Sequence, residues 1–185
     1  MVPIPKPNKD KSTTDGYRPI SLTSFVGKLI ERMINTRLMY FLEDNHLIND
    51  NQAAFRKHRS TEDQITYLSQ MIEDGFQQKK STLVIWVDLE KAFDQVWKCG
   101  LHLKLAKMGV GGKMLSCIEQ FLLNRSARVR VGNHQSQKKV LRDGVPQGGV
   151  LSPTLFTIFV NDIFDSLPRR VKATMYADDL AIFCS

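Results

Sequence analysis

Two adjacent carboxylates interrupt the stretch Val171-Lys172-Ala173-Thr174-Met175-Tyr176-Ala177-Asp178-Asp179-Leu180-Ala181-Ile182-Phe183 near the end of the chain. The apolar residues on either side predict two short strands, and the polar residues between them predict a turn. Two carboxylates at a hairpin tip repel each other unless a cation or a basic group neutralises them. Hard divalent cations prefer oxygen ligands, so Mg²⁺ is the natural candidate. Asp-Asp is also ordinary turn chemistry, and this stretch by itself favours that plainer interpretation.

A third carboxylate makes the metal-site interpretation more favourable than ordinary turn chemistry. Thr82-Leu83-Val84-Ile85-Trp86-Val87-Asp88 is almost wholly apolar, which predicts a central strand covered on both faces. A carboxylate at the end of a buried strand is costly unless it is paired or bound to a metal. We therefore expect Asp88 to face the hairpin tip. Three carboxylates at one sheet edge would suit two Mg²⁺ ions about 3.5–4 Å apart, which together act on a phosphoryl group.

A glycine-rich loop lies between these elements, at Gly144-Val145-Pro146-Gln147-Gly148-Gly149-Val150-Leu151-Ser152-Pro153. Gly148 and Gly149 allow a ligand or another backbone to come close. The Gln147 amide offers hydrogen bonds to a bound nucleotide. Ser152 is predicted to cap the following helix, with Pro153 at its first position. Glycine-rich loops are common, so this signal is weak when taken alone.

Helical periodicity marks several further segments. Residues 24–44 predict an amphipathic helix that Ser24 caps, and a second helix is predicted after the basic segment 49–59, with a capping box at Thr61 and Gln64. Residues 99–124 predict two helices that are separated at Gly109–Gly112. We expect the apolar stripes of the first two helices to be core: Phe25, Leu29, Ile30, Met33, Ile34, Leu38 and Phe41, and Ile65, Leu68, Ile72 and Phe76.

Basic residues recur along the chain, whose formal net charge is +7 over 185 residues. This charge suits a polyanionic partner, nucleic acid first. Residues 1–19 predict a loop or loose hairpin, either a mobile lid for phosphates or a solvated tail, and in isolation the tail is favoured. A hairpin with a basic face is predicted around Gly132-Asn133. The other basic candidates for phosphate contact are Arg56, Lys57 and Arg59, whereas Phe55, which precedes them, is expected to point inward.

Composition excludes some classes of protein. Charged residues make up 24% and apolar residues 42%, as in ordinary globular domains. No apolar run reaches the roughly 20 residues of a membrane span, and no signal peptide is recognisable. The three cysteines are scattered without metal-ligand spacing, which suits reduced thiols inside a cell. Because Ser185 falls within a predicted strand, we expect the chain to be a fragment.

Five motifs in order resemble one family. Val87-Asp88-Leu89-Glu90-Lys91-Ala92-Phe93-Asp94, the Gln147 loop and Tyr176-Ala177-Asp178-Asp179 resemble motifs A, B and C of reverse transcriptases. Arg18-Pro19-Ile20-Ser21-Leu22 and Gln52-Ala53-Ala54-Phe55-Arg56, the latter followed by Ser60-Thr61, resemble the fingers motifs of non-LTR (LINE-type) retrotransposons. Two positions depart from the family: Ala54 replaces a usual glycine, and Gly149 replaces a common serine.

The resemblance implies an α+β right-hand polymerase fold with an antiparallel palm sheet backed by helices. Residues 1–80 would be mostly fingers and residues 81–185 mostly palm, with the thumb absent. The implied activity is RNA-directed DNA polymerisation, with an RNA template, a DNA primer and deoxynucleoside triphosphates as partners, in the nucleus. The alternative is an inactive truncated remnant that acts at most as a nucleic-acid-binding module.

The resemblance also assigns roles to single residues. Asp88, Asp178 and Asp179 are the expected catalytic set, which holds two Mg²⁺ ions (Mn²⁺ as a substitute) with the backbone carbonyl of Leu89. Phe93 is expected to exclude a ribose 2′-hydroxyl, and Tyr176 to support the primer end. The remaining nucleotide-binding residues implied by the resemblance are Arg18, Lys9, Lys11, Gln147 and Gly148.

Overall fold

The computed structural model describes all of residues 1–185, with nine strands and five α-helices. The chain divides into two compact units, residues 1–38 with 93–152 and residues 39–92 with 153–185. The strands are β1 (Val2–Pro5), β2 (Tyr17–Ile20), β3 (Leu83–Asp88), β4 (Ser126–Ala127), β5 (Arg130–Val131), β6 (His134–Gln135), β7 (Lys139–Val140), β8 (Lys172–Tyr176) and β9 (Asp179–Cys184). The helices are α1 (Phe25–Asp44), α2 (Thr61–Gln77), α3 (Lys98–Lys107), α4 (Gly112–Leu122) and α5 (Ser152–Val160), with 3₁₀ turns at Thr14–Gly16 and Asn161–Ser166.

The first unit begins with the predicted basic hairpin. β1 and β2 pair in antiparallel register, with Ile4 opposite Arg18. The Lys6 amide donates to the Gly16 carbonyl (2.8 Å), which closes the loop that carries Lys9 and Lys11. The hairpin is anchored at its other end, because the Arg130 amide donates to the Met1 carbonyl (2.9 Å). The first residues therefore form an ordered hairpin rather than a solvated tail.

Helices α3 and α4 supply the apolar core of this unit. The predicted break between them is confirmed, because Gly109 has a φ of 85° and Gly112 a φ of 56°. Leu101 and Leu105 of α3 are fully buried, and so is Ile118 of α4. The Gly132-Asn133 turn is also confirmed: β5 and β6 flank it, and β4 pairs with β7 further out.

The second unit is built on a three-stranded antiparallel sheet in the order β3-β9-β8. The predicted hairpin of β8 and β9 is confirmed, but the expectation that β3 is central is wrong. β9 is the central strand, and β3 lies at the edge with Trp86 69% exposed and Ile85 52% exposed. An apolar run identifies a strand but not its position in the sheet, because the pairing partners decide that position.

Helix α2 contacts β8, and the Tyr67 and Phe183 rings meet edge to face at 5.9 Å between centroids. The predicted capping box is shifted by one residue. Ser60 is the N-cap: its hydroxyl accepts from the Asp63 amide, and the Asp63 carboxylate accepts from the Ser60 amide. The predicted apolar stripe is only partly core, because Leu68 is buried whereas Ile65 and Phe76 are exposed.

Helix α1 departs furthest from its predicted packing. Ser24 does cap it, since its hydroxyl accepts from the Gly27 amide at 3.0 Å. The buried positions run through Glu31, Leu38 and Leu42, whereas most of the predicted core stripe is exposed: Phe25 (84%), Leu29 (52%), Ile30 (52%) and Met33 (57%). The helical spacing of apolar residues does not reveal the hydrogen-bond donors that make burial of Glu31 possible. No helix of the chain is both long and apolar enough to cross a membrane.

Candidate active site

The carboxylates of the second unit meet at one end of its sheet. In the antiparallel register of β3 and β9, Asp88 lies directly opposite Asp179. Ala177 and Asp178 form the two-residue turn between β8 and β9. Tyr176, before the turn, pairs with Asp179, after it. The Leu89 amide donates to the Asp178 carbonyl at 3.4 Å, which ties the end of β3 to the turn. The structure therefore places Asp88 beside the hairpin tip that carries Asp178 and Asp179, as the sequence predicted.

These carboxylates are accessible and lack a basic partner. Asp88 and Asp179 are exposed, Asp178 is half-buried, and none of the three forms an ion pair within this unit. Like charges directly opposite each other across a strand pair are destabilising. A cation is the chemical group that would relieve this repulsion.

The carboxylates do not form a ready-made metal cage. No group of three or more histidine, cysteine, aspartate or glutamate side chains is arranged to hold a metal ion. Mg²⁺ in proteins is typically held by one or two carboxylates together with water and substrate phosphates. The exposed pair of Asp88 and Asp179 fits that mode, in which the substrate supplies the remaining oxygen ligands.

Residues 51–54 support the hairpin along β8. The Ala53 amide donates to the Met175 carbonyl (3.1 Å), and the Met175 amide donates to the Asn51 carbonyl (2.8 Å). Gln52, between them, is fully buried. Sequence reasoning assigned no role to Gln52, although it opens one of the motifs that carry the resemblance.

Alanine at position 54, where the family usually has glycine, causes no backbone strain. Ala54 is buried without a positive φ, and it is Phe55 that adopts the left-handed conformation, at φ 62°. Phe55 is 47% exposed, so the expectation that its ring points inward is wrong. The turn places the ring at the surface.

Arg56 is a structural residue, contrary to its expected phosphate contact. Its Nε and Nη2 donate to the two carboxylate oxygens of Glu43 (2.8 and 2.7 Å), and its Nη1 donates to the carbonyls of Asn49 and Gln52. Only 5% of its side chain is exposed. The hydrogen bonds from Arg56 lower the pKa of Glu43, because they favour the ionised carboxylate. Arg56 thus fixes the 49–56 segment.

The first unit positions the Gln147 loop. The Ser21 amide donates to the Gln147 carbonyl (2.7 Å), and the Gln147 Nε2 donates to the Asp94 carboxylate (3.1 Å). Gly148 has a φ of 98°, and a Cβ at this position would lie 3.0 Å from the Ser21 carbonyl oxygen. Glycine is therefore required at position 148 for two reasons: the positive φ, and the close approach of the loop to β2 and to Ser21 after it.

A buried carboxylate holds the end of the same loop. Glu31 is 5% exposed, and its Oε2 accepts from the amides of Val150 (2.6 Å) and Leu151 (3.3 Å). The Ser152 hydroxyl, at the start of α5, donates to the Pro146 carbonyl (2.7 Å). A Cβ on Gly149 would lie 2.7 Å from that hydroxyl oxygen. A side chain at position 149 would therefore require the Ser152 hydroxyl to move.

The remaining predicted nucleotide ligands also belong to the first unit. Arg18 on β2 is exposed, as are Lys9 and Lys11 in the loop after β1. The Asp10 carboxylate between the two lysines accepts from the hydroxyl and amide of Ser12, and these bonds lower the pKa of Asp10. Phe93 is half-buried, and its carbonyl accepts from the Val145 amide at 2.8 Å.

Comparison with known proteins identifies relatives of this chain. The family described as "Reverse transcriptase (RNA-dependent DNA polymerase)" matches residues 4–185. The chain is 36% identical to the probable RNA-directed DNA polymerase from transposon BS of Drosophila melanogaster, over 98% of this chain and 21% of that protein. It is 32% identical to the RNA-directed DNA polymerase from mobile element jockey of the same species, over 98% of this chain and 20% of that protein. The chain thus spans about a fifth of the length of these relatives.

Solved structures show the same fold at low sequence identity. An apo telomerase from Candida tropicalis, truncated from its C-terminal domain, superposes with a TM-score of 0.61 at 15% identity, over 86% of this chain and 34% of that one. A Candida albicans telomerase in complex with a fragment of telomeric RNA gives a TM-score of 0.60 at 11% identity, over 85% and 30% of the two chains. Together with the family match over almost the whole sequence, these findings show that the chain belongs to the reverse transcriptase family and is related to the polymerases of non-LTR retrotransposons.

Proposed function

We propose that this chain carries the nucleotidyl-transfer centre of a retrotransposon RNA-directed DNA polymerase. The reaction would extend the 3′-hydroxyl of a DNA primer with deoxynucleotides on an RNA template, in the nucleus. The observation that carries the proposal is the register of β3 and β9, which sets Asp88 opposite Asp179 beside the turn residue Asp178. Fingers and palm subdomains over residues 1–80 and 81–185 form part of the same proposal.

Asp88, Asp178 and Asp179 would hold the divalent ions, with the Leu89 carbonyl as a further oxygen ligand. When bound, Mg²⁺ would lower the pKa of the primer hydroxyl and neutralise charge on the phosphate oxygens. The chain's own contribution is to keep the Asp88 and Asp179 carboxylates at fixed positions on paired strands. Preorganised charges of this kind cost no reorganisation during the reaction.

The residues of the first unit would bind the incoming nucleotide. Arg18, Lys9 and Lys11 are exposed cations that suit a triphosphate. Gln147 is half-buried, and its Nε2 is engaged by Asp94, which leaves the amide oxygen to accept from a ligand. Gly148 presents no side chain beside it. Phe93 would exclude the ribose 2′-hydroxyl, and Tyr176 of the second unit would support the primer end.

Primer extension tests the proposal directly. The parent chain and its Asp178→Asn variant are compared on an RNA template with Mg²⁺ and, separately, with Mn²⁺. We expect the variant to lose at least about a hundredfold in extension rate, because one oxygen ligand loses its charge. Asp165→Asn is the matched control, since Asp165 is an exposed aspartate of the same unit away from the sheet end, and it should extend as the parent does.

A negative result would have a clear meaning. If the parent melts cooperatively but extends no primer with either metal, the polymerase proposal fails for this chain. RNA binding that weakens steeply between about 50 and 200 mM salt would then indicate that the chain is a nucleic-acid-binding module without catalytic activity.

A further inference from the structure

One buried amide contacts the backbone of the catalytic turn. The Gln52 side chain is completely buried, and its Nε2 donates to the Ala177 carbonyl at 3.3 Å. Ala177 lies between Tyr176 and Asp178. Its Oε1 accepts from the amide of Ala54 (3.2 Å). Both polar ends of this amide are therefore satisfied, one on the turn and one on its own segment.

The turn needs such support because its backbone is strained. Ala177 has a φ of 57°, a left-handed conformation that is unfavourable for an L-residue other than glycine. Conformations of this kind persist only where the surroundings over-determine them. The Gln52 amide supplies such a constraint at the strained residue itself.

The segment that carries Gln52 is itself held from two sides. The exchange of backbone bonds with Met175 sets its register along β8. Arg56 donates to the Gln52 carbonyl at 3.0 Å while its guanidinium is bound to Glu43. The segment that carries Gln52 is therefore held in place by hydrogen bonds on both sides.

We propose that Gln52 is a positioning residue that holds the Ala177–Asp178 turn in the conformation needed by the catalytic carboxylates. The proposal rests on the polymerase function proposed above. Glutamine suits the task because it offers one donor and one acceptor without a charge, so it can be buried between two backbone groups. An aliphatic residue would offer neither bond, and an ionised glutamate would lack the donor.

The test pairs Gln52→Met with Asn161→Leu. Asn161 makes the same two kinds of bond in the same unit, because its amide donates to the Leu47 carbonyl (2.9 Å) and accepts from the Asn49 amide (2.8 Å). Each substitution removes one donor and one acceptor at roughly constant volume, but only Gln52 touches the turn. Gln52→Glu is a second variant, because its carboxyl still accepts from the Ala54 amide but, when ionised, cannot donate to the Ala177 carbonyl.

Two readouts separate positioning from general destabilisation. The first is hydrogen exchange and chemical shift at the amides of Ala177, Asp178 and Asp179 by NMR in the full chain. We expect Gln52→Met to accelerate exchange at the turn about tenfold, which corresponds to the loss of one hydrogen bond, while Asn161→Leu leaves these amides unchanged. The second is primer extension, where Gln52→Met should lower kcat about tenfold and leave KM for the deoxynucleotide within about twofold.

Turn amides that are unchanged in both Gln52 variants, or changed equally in Asn161→Leu, would overturn the inference. If Gln52→Met does not fold, the same criteria apply to Gln52→Glu. If the parent chain extends no primer, the polymerase proposal fails, while the NMR comparison still decides whether Gln52 holds the turn.

Discussion

Arg56 and Glu43 form a two-point ion pair where α1 ends and the 49–56 segment begins. The Arg56 side chain is 5% exposed, whereas that of Glu43 is 39% exposed. If Glu43 were neutralised, the buried Arg56 charge would keep only two carbonyl partners and the more distant, exposed Asp50 carboxylate at 3.8 Å. A motif arginine that charge alone would assign to phosphate binding instead connects α1 to the segment that carries Gln52.

Replacing Glu43 by glutamine should lower the free energy of unfolding by about 1–2 kcal/mol at pH 7, a value discounted for the exposure of the carboxylate. The folded-state pKa of Glu43 is lowered, so its contribution is fully present above the ordinary glutamate pKa. It is lost as the pH falls through the lowered pKa. Urea unfolding at several pH values should show parent and variant converging in acid.

Glu73→Gln is the control for this experiment, because Glu73 is an exposed glutamate of α2 in the same unit. It should change stability by less than about 0.5 kcal/mol at every pH. A Glu43→Gln deficit that stays constant down to the most acidic condition would contradict a role for the ionised carboxylate.

At the scale of elements, the β8–β9 hairpin combines a strained turn with a paired, buried body. Thr174 and Met175 are buried in β8, and Leu180 and Ala181 are buried in β9. Both faces of the hairpin are therefore covered, and a shift by one residue would exchange the side chains that pack on the two faces. The hairpin can therefore impose a left-handed conformation on Ala177.

Ala177→Gly should leave stability unchanged or raise it by up to about 1 kcal/mol, because glycine adopts a positive φ without the Cβ penalty. Ala173→Gly is the matched control on the same hairpin: Ala173 is buried in β8 without a positive φ, and its loss should cost about 1 kcal/mol or more. Urea unfolding measures both variants. Equal destabilisation by the two substitutions would show that the turn is not strained.

At the scale of the whole molecule, a chain with a net charge of +7 carries a local cluster of negative charge at one sheet end. The positive charge favours polyanions over the whole surface. The carboxylates oppose that trend, and without a cation they repel each other across β3 and β9. Stability should therefore depend on divalent cations.

In EDTA, Asp179→Asn should raise the free energy of unfolding by about 0.2–1 kcal/mol, because it removes a like-charge pair across two strands. Millimolar MgCl₂ should raise the Tm of the parent by mass action, and this rise should shrink in the variant. NaCl at equal ionic strength controls for screening, and Asp165→Asn controls for a general change of charge. A Tm that rises equally with MgCl₂ and with NaCl would contradict specific cation binding.

Local patterns in the sequence predicted strands β3, β8 and β9, the turn at Gly132-Asn133, the break between α3 and α4 and the position of Asp88 beside the Asp178-Asp179 pair. These features follow from local patterns of apolar runs, glycines and polar turns, and from ordered motifs. Three features emerge from the fold alone: β3 is an edge strand, α1 buries Glu31 while exposing Phe25, and Arg56 is an internal ion-pair partner. The position of β3 depends on which strands pair, and burial of Glu31 and Gln52 depends on hydrogen-bond partners distant in sequence, the Val150 amide and the Ala177 carbonyl.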